Sequence, residues 1–343
     1  MPIDERYARQ ALFRGLGAEG QERLQAAHAV VVGCGALGSH VADLLARAGV
    51  GRLTLIDRDF VERTNLHRQT LYDEDDVTQG LPKAAAAARH LRAINPRVTI
   101  EAKPAHLDAG NIDALAEGAG VLLDGTDNFE TRFLINDYAL KQNVPWIYAA
   151  CVGAYGLSMT ILPGVTPCLR CLVRVAPPPG TTETCDTAGI IAPIASLVAA
   201  LQAAEAIKIL SGARAAISRD LVAVDLWDNL TQRMRMDRAS ISAGCPACEQ
   251  GTYEYLAGGL GARATTLCGR HAVQVHPGPG VALDLARLEE RLRPLGPVTR
   301  NPYLLRLAFE GVTLALFADG RAIISGTDDA ARARALYDRV VGT

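Results

Sequence analysis

Short apolar runs alternate with helical patterns along the first half of the chain. The runs at residues 30–32, 53–56, 98–102, 121–124 and 145–150 predict buried strands. Between them, apolar residues recur at helical spacing over residues 39–48 and 83–94, and a third helix, capped by Asn128 or Thr131, runs to Gln142. Alternating strands and helices with short links predict an α/β fold with a doubly wound, mostly parallel, Rossmann-like sheet.

The pattern changes after residue 152. Glycines and the short apolar runs 157–162 and 221–225 predict an antiparallel extension of the sheet, and residues 193–210 predict a buried helix. A glycine-rich stretch at 258–263 is typical of a linker, and beyond it short strands and two helices predict a small α+β unit. We therefore expect an α/β domain at residues 1–257 and a small C-terminal domain at 258–343.

Composition narrows the function classes. Of the 343 residues, 49% are hydrophobic and 21% charged, and the net charge is −2. A near-neutral balance argues against nucleic-acid binding, which needs a basic surface. Gln202, Glu205 and Lys208 interrupt the apolar helix, so we expect no membrane span, and the polar N-terminus shows no signal peptide. These features predict a cytoplasmic protein, in which eight cysteines favour metal binding or reactivity over disulfides.

The stretch Val32-Gly33-Cys34-Gly35-Ala36-Leu37-Gly38 predicts a nucleotide site. Gly33 allows a tight turn, Gly35 allows close approach of a phosphate, and Gly38 allows the helix to pack against the strand. The N–H groups at the start of the helix then face an anion. Asp57, at the end of the next strand, is placed to bind a ribose hydroxyl.

Other polar residues are predicted at the same edge of the sheet. The loop at 58–69 and the turn at 125–128, which contains Asp127, each follow a strand. Lys83 begins a helix, where a cation is unfavourable, so it indicates an anionic partner unless it is only a solvated side chain. A basic cluster, Arg6, Arg9 and Arg14, precedes the first strand, so this arm crosses the nucleotide domain or reaches a neighbouring molecule, unless it is only a solvated helix.

Two Cys-x-x-Cys pairs predict a structural zinc site. Cys168, Cys171, Cys245 and Cys248 supply four thiolates, which suit tetrahedral zinc. Their long separation means that the metal would join two remote segments of the chain. Unpaired core cysteines and redox pairs are the alternatives.

These motifs together resemble the ThiF/MoeB/HesA family, the bacterial relatives of ubiquitin-activating E1 enzymes. The resemblance covers about residues 5–250 and rests on eight features in register. They are Arg6 to Gln10, Gly33 to Gly38, Asp57-x-Asp59, Asn65 to Gln69, Pro82-Lys83, Gly125 to Asn128, Thr184-Cys185 and the two cysteine pairs. The fold that this resemblance implies is the E1 adenylation fold.

The resemblance implies ATP- and Mg²⁺-dependent adenylation of the C-terminal Gly-Gly carboxylate of a ubiquitin-like sulfur carrier, with release of pyrophosphate. Charge neutralisation is the main task of such a site, so Arg68 and Lys83 suit the phosphates, Asp127 suits Mg²⁺ and Asn65 adds uncharged hydrogen bonds. The implied nucleotide-binding residues are Gly33, Gly35, Ala36, Gly38, Asp57, Asp59, Asn65, Arg68, Lys83, Asp127 and Asn128.

By the same resemblance the protein is a homodimer in which Arg9 reaches the partner's triphosphate. Cys185 matches a reactive cysteine that in some members forms an acyl-disulfide with the carrier and in others is dispensable. The resemblance implies that the partner is a ThiS- or MoaD-like carrier for thiamine or molybdopterin synthesis, with a cysteine desulfurase or another sulfur donor. Two departures are Ala36, where many relatives have glycine, and the acidic segment 70–80.

Three alternatives remain. The carrier could serve ubiquitin-like conjugation instead of sulfur transfer. A nicotinamide-dependent oxidoreductase would also need the glycine turn and Asp57, but it leaves Arg68, Lys83, Asp127 and the cysteine pairs unexplained. A non-catalytic scaffold for ubiquitin-like proteins would not need the complete set of ATP-facing residues.

Overall fold

Two β-sheets organise the chain, which a computed structural model describes over residues 4–177, 185–258, 264–267, 271–275 and 281–342. Within these residues the first sheet consists of β1 (His28–Val32), β2 (Arg52–Ile56), β3 (Thr99–Lys103), β4 (Val121–Asp124), β5 (Trp146–Val152), β6 (Tyr155–Ile161), β7 (Asp220–Asp225) and β8 (Leu230–Arg235). Their order across the sheet is β3-β2-β1-β4-β5-β6-β7-β8.

Strand pairing in this sheet changes from parallel to antiparallel at β5. Strands β3, β2, β1, β4 and β5 pair in parallel, with Val31 level with Leu55 on one side and Leu123 on the other. Strands β5 to β8 pair antiparallel. The predicted doubly wound sheet with an antiparallel extension is confirmed. Strand β8 was not predicted, because every one of its side chains is exposed and it carries no apolar run.

Helices cover both faces of the first sheet because its central strands are apolar on both sides. The helices up to residue 241 are α1 (Ala8–Ala11), α2 (Gly17–Ala26), α3 (Ala36–Ala48), α4 (Glu74–Gln79), α5 (Lys83–Ile94), α6 (Ile112–Leu115), α7 (Phe129–Gln142), α8 (Leu169–Leu172), α9 (Cys185–Ala188), α10 (Ala192–Ser211) and α11 (Arg238–Ile241). Val31 packs with α3, α5 and α10 on one face, and Val30 packs with α6 and α7 on the other. This alternation follows from the two-residue period of a strand.

Helix α10 lies in the core on the first of these faces. By length and composition alone it could cross a membrane. It packs against α3, β5 and β6, and Ile194, Val198 and Gln202 are fully buried. The Gln202 amide donates to the carbonyl oxygens of Asp124 and Ile147. The helix therefore packs on the centre of the first sheet, and the prediction of a buried helix is confirmed.

The second sheet contains, within the described residues, β9 (Ala264–Leu267), β10 (Ala272–Val275), β11 (Val298–Arg300), β12 (Leu304–Phe309), β13 (Val312–Phe317) and β14 (Ala322–Ser325). All its pairings are antiparallel, in the order β11-β12-β13-β14-β10-β9. Helices α12 (Leu285–Leu292) and α13 (Ala330–Val341) pack on one face of it.

The predicted α+β character of the C-terminal region is confirmed, although the short strand β11 was missed. The division of the chain at residues 257 and 258 stays a prediction, since most of the proposed linker, residues 259–263, lies outside the described residues.

The turn between β1 and α3 depends on its glycines. Gly33 has φ +86°, a conformation that only glycine adopts easily. A Cβ on Gly38 would overlap the Gly33 carbonyl oxygen, whereas one on Gly35 would meet nothing nearer than 3.8 Å. Ala36 begins α3 and does not need positive φ, so alanine is tolerated at this departure from the family pattern. The turn therefore has no space for a side chain at Gly38, but it has open space beside Gly35.

We expect Gly38→Ala to destabilise the protein strongly and Gly35→Ala to leave its stability nearly unchanged. Gly38→Ala forces two backbone segments apart and should lower the free energy of unfolding by about 3 kcal/mol or more. Gly35→Ala has space and should change it by less than about 1 kcal/mol. Urea unfolding followed by circular dichroism measures both. Equal stability of the two variants would contradict this account of the turn.

Candidate functional site

The predicted site residues that follow β1, β2 and β4 share one edge of the first sheet. This edge holds the carboxyl ends of the parallel strands, and the strand order reverses between β1 and β4. Ligands of such sheets bind at the crevice outside that reversal point. Backbone hydrogen bonds of 2.7 Å from Gly33 N to the Ile56 carbonyl and from Gly125 N to the Val32 carbonyl hold the three strand ends together.

Asp57 joins the glycine turn to the loop after β2. One carboxylate oxygen accepts the Cys34 N–H at 2.6 Å, and the other accepts the Asp59 N–H at 2.7 Å. Burial raises the pKa of Asp57, while the positive charge of Lys83 counteracts that rise. Each carboxylate oxygen has a second lone pair, so Asp57 can still accept a hydrogen bond from a bound hydroxyl group.

Lys83 lies in the same crevice and is only 3% exposed. Its ammonium nitrogen is 3.5 Å from Asp59 Oδ2, and its backbone N–H donates to the Asp59 carbonyl at 2.9 Å. The unfavourable cation at the start of α5 is thus offset by a carboxylate of the protein itself. The Tyr72 hydroxyl, which sequence reasoning missed, donates to the Cys34 carbonyl at 2.7 Å and also lies 3.3 Å from the Lys83 carbonyl.

The loop after Phe60 contributes three buried polar side chains. The Asn65 amide oxygen accepts the Glu62 N–H at 3.1 Å, and Arg68 Nη1 donates to the Thr64 carbonyl at 2.8 Å. Gln69 is buried beside Gly35, and its amide oxygen has no hydrogen-bond partner in the part of the chain that the structure describes. An unpartnered buried oxygen is unfavourable unless a ligand or water satisfies it.

The turn after β4 is held by a buried ion pair that sequence reasoning missed. Arg132, on α7, donates to Asp124 Oδ2 at 3.0 Å and to the carbonyls of Thr126 and Ala149 at 2.7 and 3.1 Å. The other Asp124 oxygen accepts from the Thr126 N–H and hydroxyl. A charged residue followed directly by the apolar run 133–135 was the available signal for this pair.

This fixed turn presents two predicted site residues at the crevice. Asp127 is exposed, and Asn128 caps α7 by accepting the Thr131 N–H at 2.9 Å. Of the two predicted caps, Asn128 is therefore the one used.

Arg9 is not at this crevice. It is exposed on α1, and the neighbouring Tyr7 packs against Gly49 at the far end of α3 and accepts a hydrogen bond from Asn95. The 13 residues of α3 separate this contact from the glycine turn by about 20 Å. Arg9 therefore lies near the opposite edge of the sheet from its own chain's glycine turn.

Cys185 is the first residue of α9, and its side chain lies outside the described residues, as does most of the preceding proline-rich segment at 178–184.

The four predicted zinc ligands form one cluster. Their sulfur atoms all lie within 4.8 Å of one another, and Cys168 Sγ is 3.7 Å from the sulfurs of both Cys171 and Cys245. Tetrahedral zinc with bonds of about 2.3 Å places its sulfurs about 3.8 Å apart, so the geometry fits. A hydrogen bond with Cys168 lowers the pKa of Cys171 to about 5, while burial raises that of Cys248 to about 11.

The chain is similar to proteins of known family. Residues 7–247 match the ThiF family. The chain is 44% identical to the sulfur carrier protein ThiS adenylyltransferase of Bacillus subtilis, over 98% of this chain and 99% of that protein. It is 38% identical to the molybdopterin-synthase adenylyltransferase of Salmonella typhimurium, over 71% of this chain and 96% of that protein.

A crystal structure of MccB from E. coli with ATP is similar in fold. It has a TM-score of 0.62 and 26% identity, and the match covers 72% of this chain and 75% of that one. The two sequence relatives are covered almost completely, and the family match spans every strand of the first sheet. The chain therefore belongs to the ThiF family.

Proposed function

We propose that this chain adenylates the C-terminal carboxylate of a ubiquitin-like sulfur carrier protein, using ATP. The observation that carries the proposal is the meeting of the glycine turn, Asp57, Lys83 and Asp127 at one edge of the sheet. A carboxylate oxygen of the carrier's last glycine bonds to the α-phosphorus, and the bond from that phosphorus to the bridging oxygen breaks. Pyrophosphate leaves. The name of the Bacillus subtilis relative, a sulfur carrier protein adenylyltransferase, supports a carrier as the substrate.

The adenosine and its phosphates would lie over the glycine turn. The open space above Gly35 leaves room for a phosphate, and the N-terminus of α3 favours negative charge. Asp57 would accept a ribose hydroxyl. The amide oxygen of Gln69, beside Gly35, has no hydrogen-bond partner among the described residues, and a bound ligand would supply one.

Charge neutralisation would come from Lys83, Arg68 and Asn65. Two anions repel each other at this step, and buried positive groups reduce that repulsion more strongly than exposed ones. Lys83 is buried, and its ammonium lies 3.5 Å from the Asp59 carboxylate, a long contact that leaves the ammonium able to turn toward a phosphate. Asn65 would donate from its amide nitrogen without adding charge.

Asp127 would hold Mg²⁺ together with the phosphates. Its carboxylate suits a hard cation, and it is exposed at the mouth of the crevice on a turn that Arg132 fixes. Bound Mg²⁺ supplies charge neutralisation at the triphosphate.

A homodimer would bring Arg9 to the nucleotide of the partner. Tyr7, two residues before Arg9, contacts Gly49 about 20 Å along α3 from the glycine turn of its own chain, and Arg9 is exposed and available to a neighbouring molecule. Leu12 and Phe13, which follow it, expose 81% and 69% of their surfaces, as residues of an interface do in an isolated chain.

Similarity over nearly the whole chain to the ThiS adenylyltransferase supports thiamine synthesis over molybdopterin synthesis, because the molybdopterin relative matches only 71% of this chain. A cysteine desulfurase or another donor would then supply sulfur to the adenylated carrier. Cys185 stays a predicted site for an acyl-disulfide with that carrier. We place this chemistry in the cytoplasm, where thiols remain reduced.

The cysteine cluster would hold structural zinc. It joins α8, which Asn136 of α7 fixes through the Leu169 N–H, to the segment after α11. Zinc would thereby hold residues 245–248 against α8 and the first sheet.

Carrier-dependent exchange between ATP and pyrophosphate tests the central proposal. Wild-type protein with Mg²⁺ and a ThiS-like carrier should exchange, and Asp127→Ala should reduce the rate by about 100-fold or more. Asp113→Ala, on α6 before β4, is the matched control and should retain the rate. Absence of exchange with every Gly-Gly carrier would refute the proposal.

Mixed dimers test the position of Arg9. Arg9→Ala and Asp127→Ala homodimers should both be inactive. Co-expression of the two variants should restore about one quarter of the wild-type exchange rate, since half of the dimers are mixed and each has one intact site. If Arg9 acted within its own subunit, no mixed dimer would have an intact site and activity would stay absent.

Metal analysis tests the cysteine cluster. Purified protein should contain one zinc per chain, and Cys168→Ser should lose it and lower the melting temperature, because apparent zinc binding energies reach roughly 10 kcal/mol. Cys151→Ser, a thiol on β5 outside the cluster, should keep the metal. Full stability of metal-free wild-type protein would contradict a structural role.

A further inference from the structure

The second sheet contacts the loops of the nucleotide crevice through polar side chains. Arg321, at the start of β14, donates to the Arg58 carbonyl at 2.6 Å and to the Pro104 carbonyl at 3.2 Å. These two carbonyls belong to the loops that follow β2 and β3. The adenylation chemistry proposed above gives no reason for these contacts.

Arg321 is a buried cation. It is 2% exposed, and its only ion pair among the described residues is with Asp319, at 2.8 Å, on its own turn. The guanidinium also stacks on the Phe317 ring at 3.9 Å. Burying a charge is costly unless its hydrogen bonds are well placed. Two of its donors are directed at the other sheet, so those bonds are part of what makes the burial tolerable.

The Arg58 contact leads directly to Asp57. The Arg58 carbonyl and the Asp59 N–H belong to the same peptide group. Arg321 holds the oxygen end of that group, and the N–H end donates to Asp57 Oδ1 at 2.7 Å. Hydrogen bonds at the two ends of a peptide group polarise and strengthen each other. This peptide is therefore one of the two backbone anchors of the Asp57 carboxylate, and the Cys34 N–H is the other.

Two further contacts keep the second sheet in place against the same region. The Asn301 amide donates at 3.0 Å to the carbonyls of Gln79 and Gly80, just before Lys83. The Arg306 guanidinium lies 4.5 Å above the centre of the Phe60 ring. Phe60 in turn pairs with Pro82 in an antiparallel bridge. The second sheet is thus fixed to both loops that carry acidic and basic site residues.

We propose that Arg321 is a positioning residue that orients Asp57 through the Arg58–Asp59 peptide, so that the second sheet contributes to recognition of the ribose. The proposal rests on the ribose role of Asp57 proposed above. Loss of Arg321 should free the peptide to rotate and misalign Asp57, while the phosphate-binding groups stay in place. Discrimination for the ribose hydroxyls should fall more than binding of the phosphates.

The test compares ATP with 2′-deoxy-ATP and 3′-deoxy-ATP by calorimetric titration of the full chain with Mg²⁺. Wild-type protein should prefer ATP over at least one deoxynucleotide. In Arg321→Met the Kd for ATP should rise by about tenfold, the loss of one well-placed hydrogen bond, while the Kd for that deoxynucleotide changes little. The quantity compared between variants is the ratio of the Kd for the deoxynucleotide to the Kd for ATP. A lower folded fraction would change the binding stoichiometry but not this ratio of affinities, so the ratio separates a positioning role from a general loss of folding.

Arg339→Met is the matched control. Arg339 also pairs with a carboxylate in the C-terminal region, that of Glu310, but the pair is exposed and away from both loops. Its ratio of affinities should equal that of the wild type. Arg321→Gln, whose shorter polar side chain cannot span from β14 to the Arg58 carbonyl, gives a second variant if Arg321→Met does not fold, and its ratio should fall in the same way.

An unchanged ratio in a folded Arg321 variant would overturn the proposal. A wild-type protein that binds ATP and both deoxynucleotides equally would overturn it as well, because Asp57 would then not read the ribose. Both outcomes are independent of the carrier. Failure of carrier-dependent exchange in a protein that still discriminates the ribose would instead refute the adenylation of a carrier and leave the role of Arg321 standing.

Discussion

The Asp57 carboxylate is the contact on which the site depends. It accepts one N–H from the glycine turn and one from the loop after β2, so two neighbouring strand ends share a single anchor. Burial makes this charge expensive, and Lys83 nearby offsets part of that cost. Because the anchor uses only one lone pair of each oxygen, the same group can hold the scaffold together and still receive a ligand hydroxyl.

A second carboxylate repeats this arrangement at the next strand. Asp124 and Arg132 fix the turn after β4, and Gln202 of α10 holds the Asp124 carbonyl from the other face. The exposed Asp127 is therefore carried by a turn that these contacts hold in place. Positioned groups of this kind lower a reaction barrier because they need little reorganisation when charge develops.

The second sheet also holds a site residue in place, through a contact between residues far apart in the chain. Arg321 and Arg58 are 263 residues apart, yet one hydrogen bond between them reaches the peptide that orients Asp57. The C-terminal region is therefore part of the support of the crevice. The cysteine cluster similarly brings α8 beside a segment 77 residues later in the chain.

The elements of this protein were largely determined by local sequence. Residues 30–38 form a strand, a turn and a helix because Gly33 accepts positive φ and Gly38 leaves room for a carbonyl, and both requirements lie within one short stretch. The hairpin at 304–317 was likewise predicted from alternation alone, whereas the exposed strand β8 had no apolar pattern to reveal it. Which side chains meet was decided by tertiary structure. The contacts Asp124–Arg132 and Arg321–Arg58 form only when whole helices and sheets pack together. A local sequence pattern does not say which side chains this packing brings into contact.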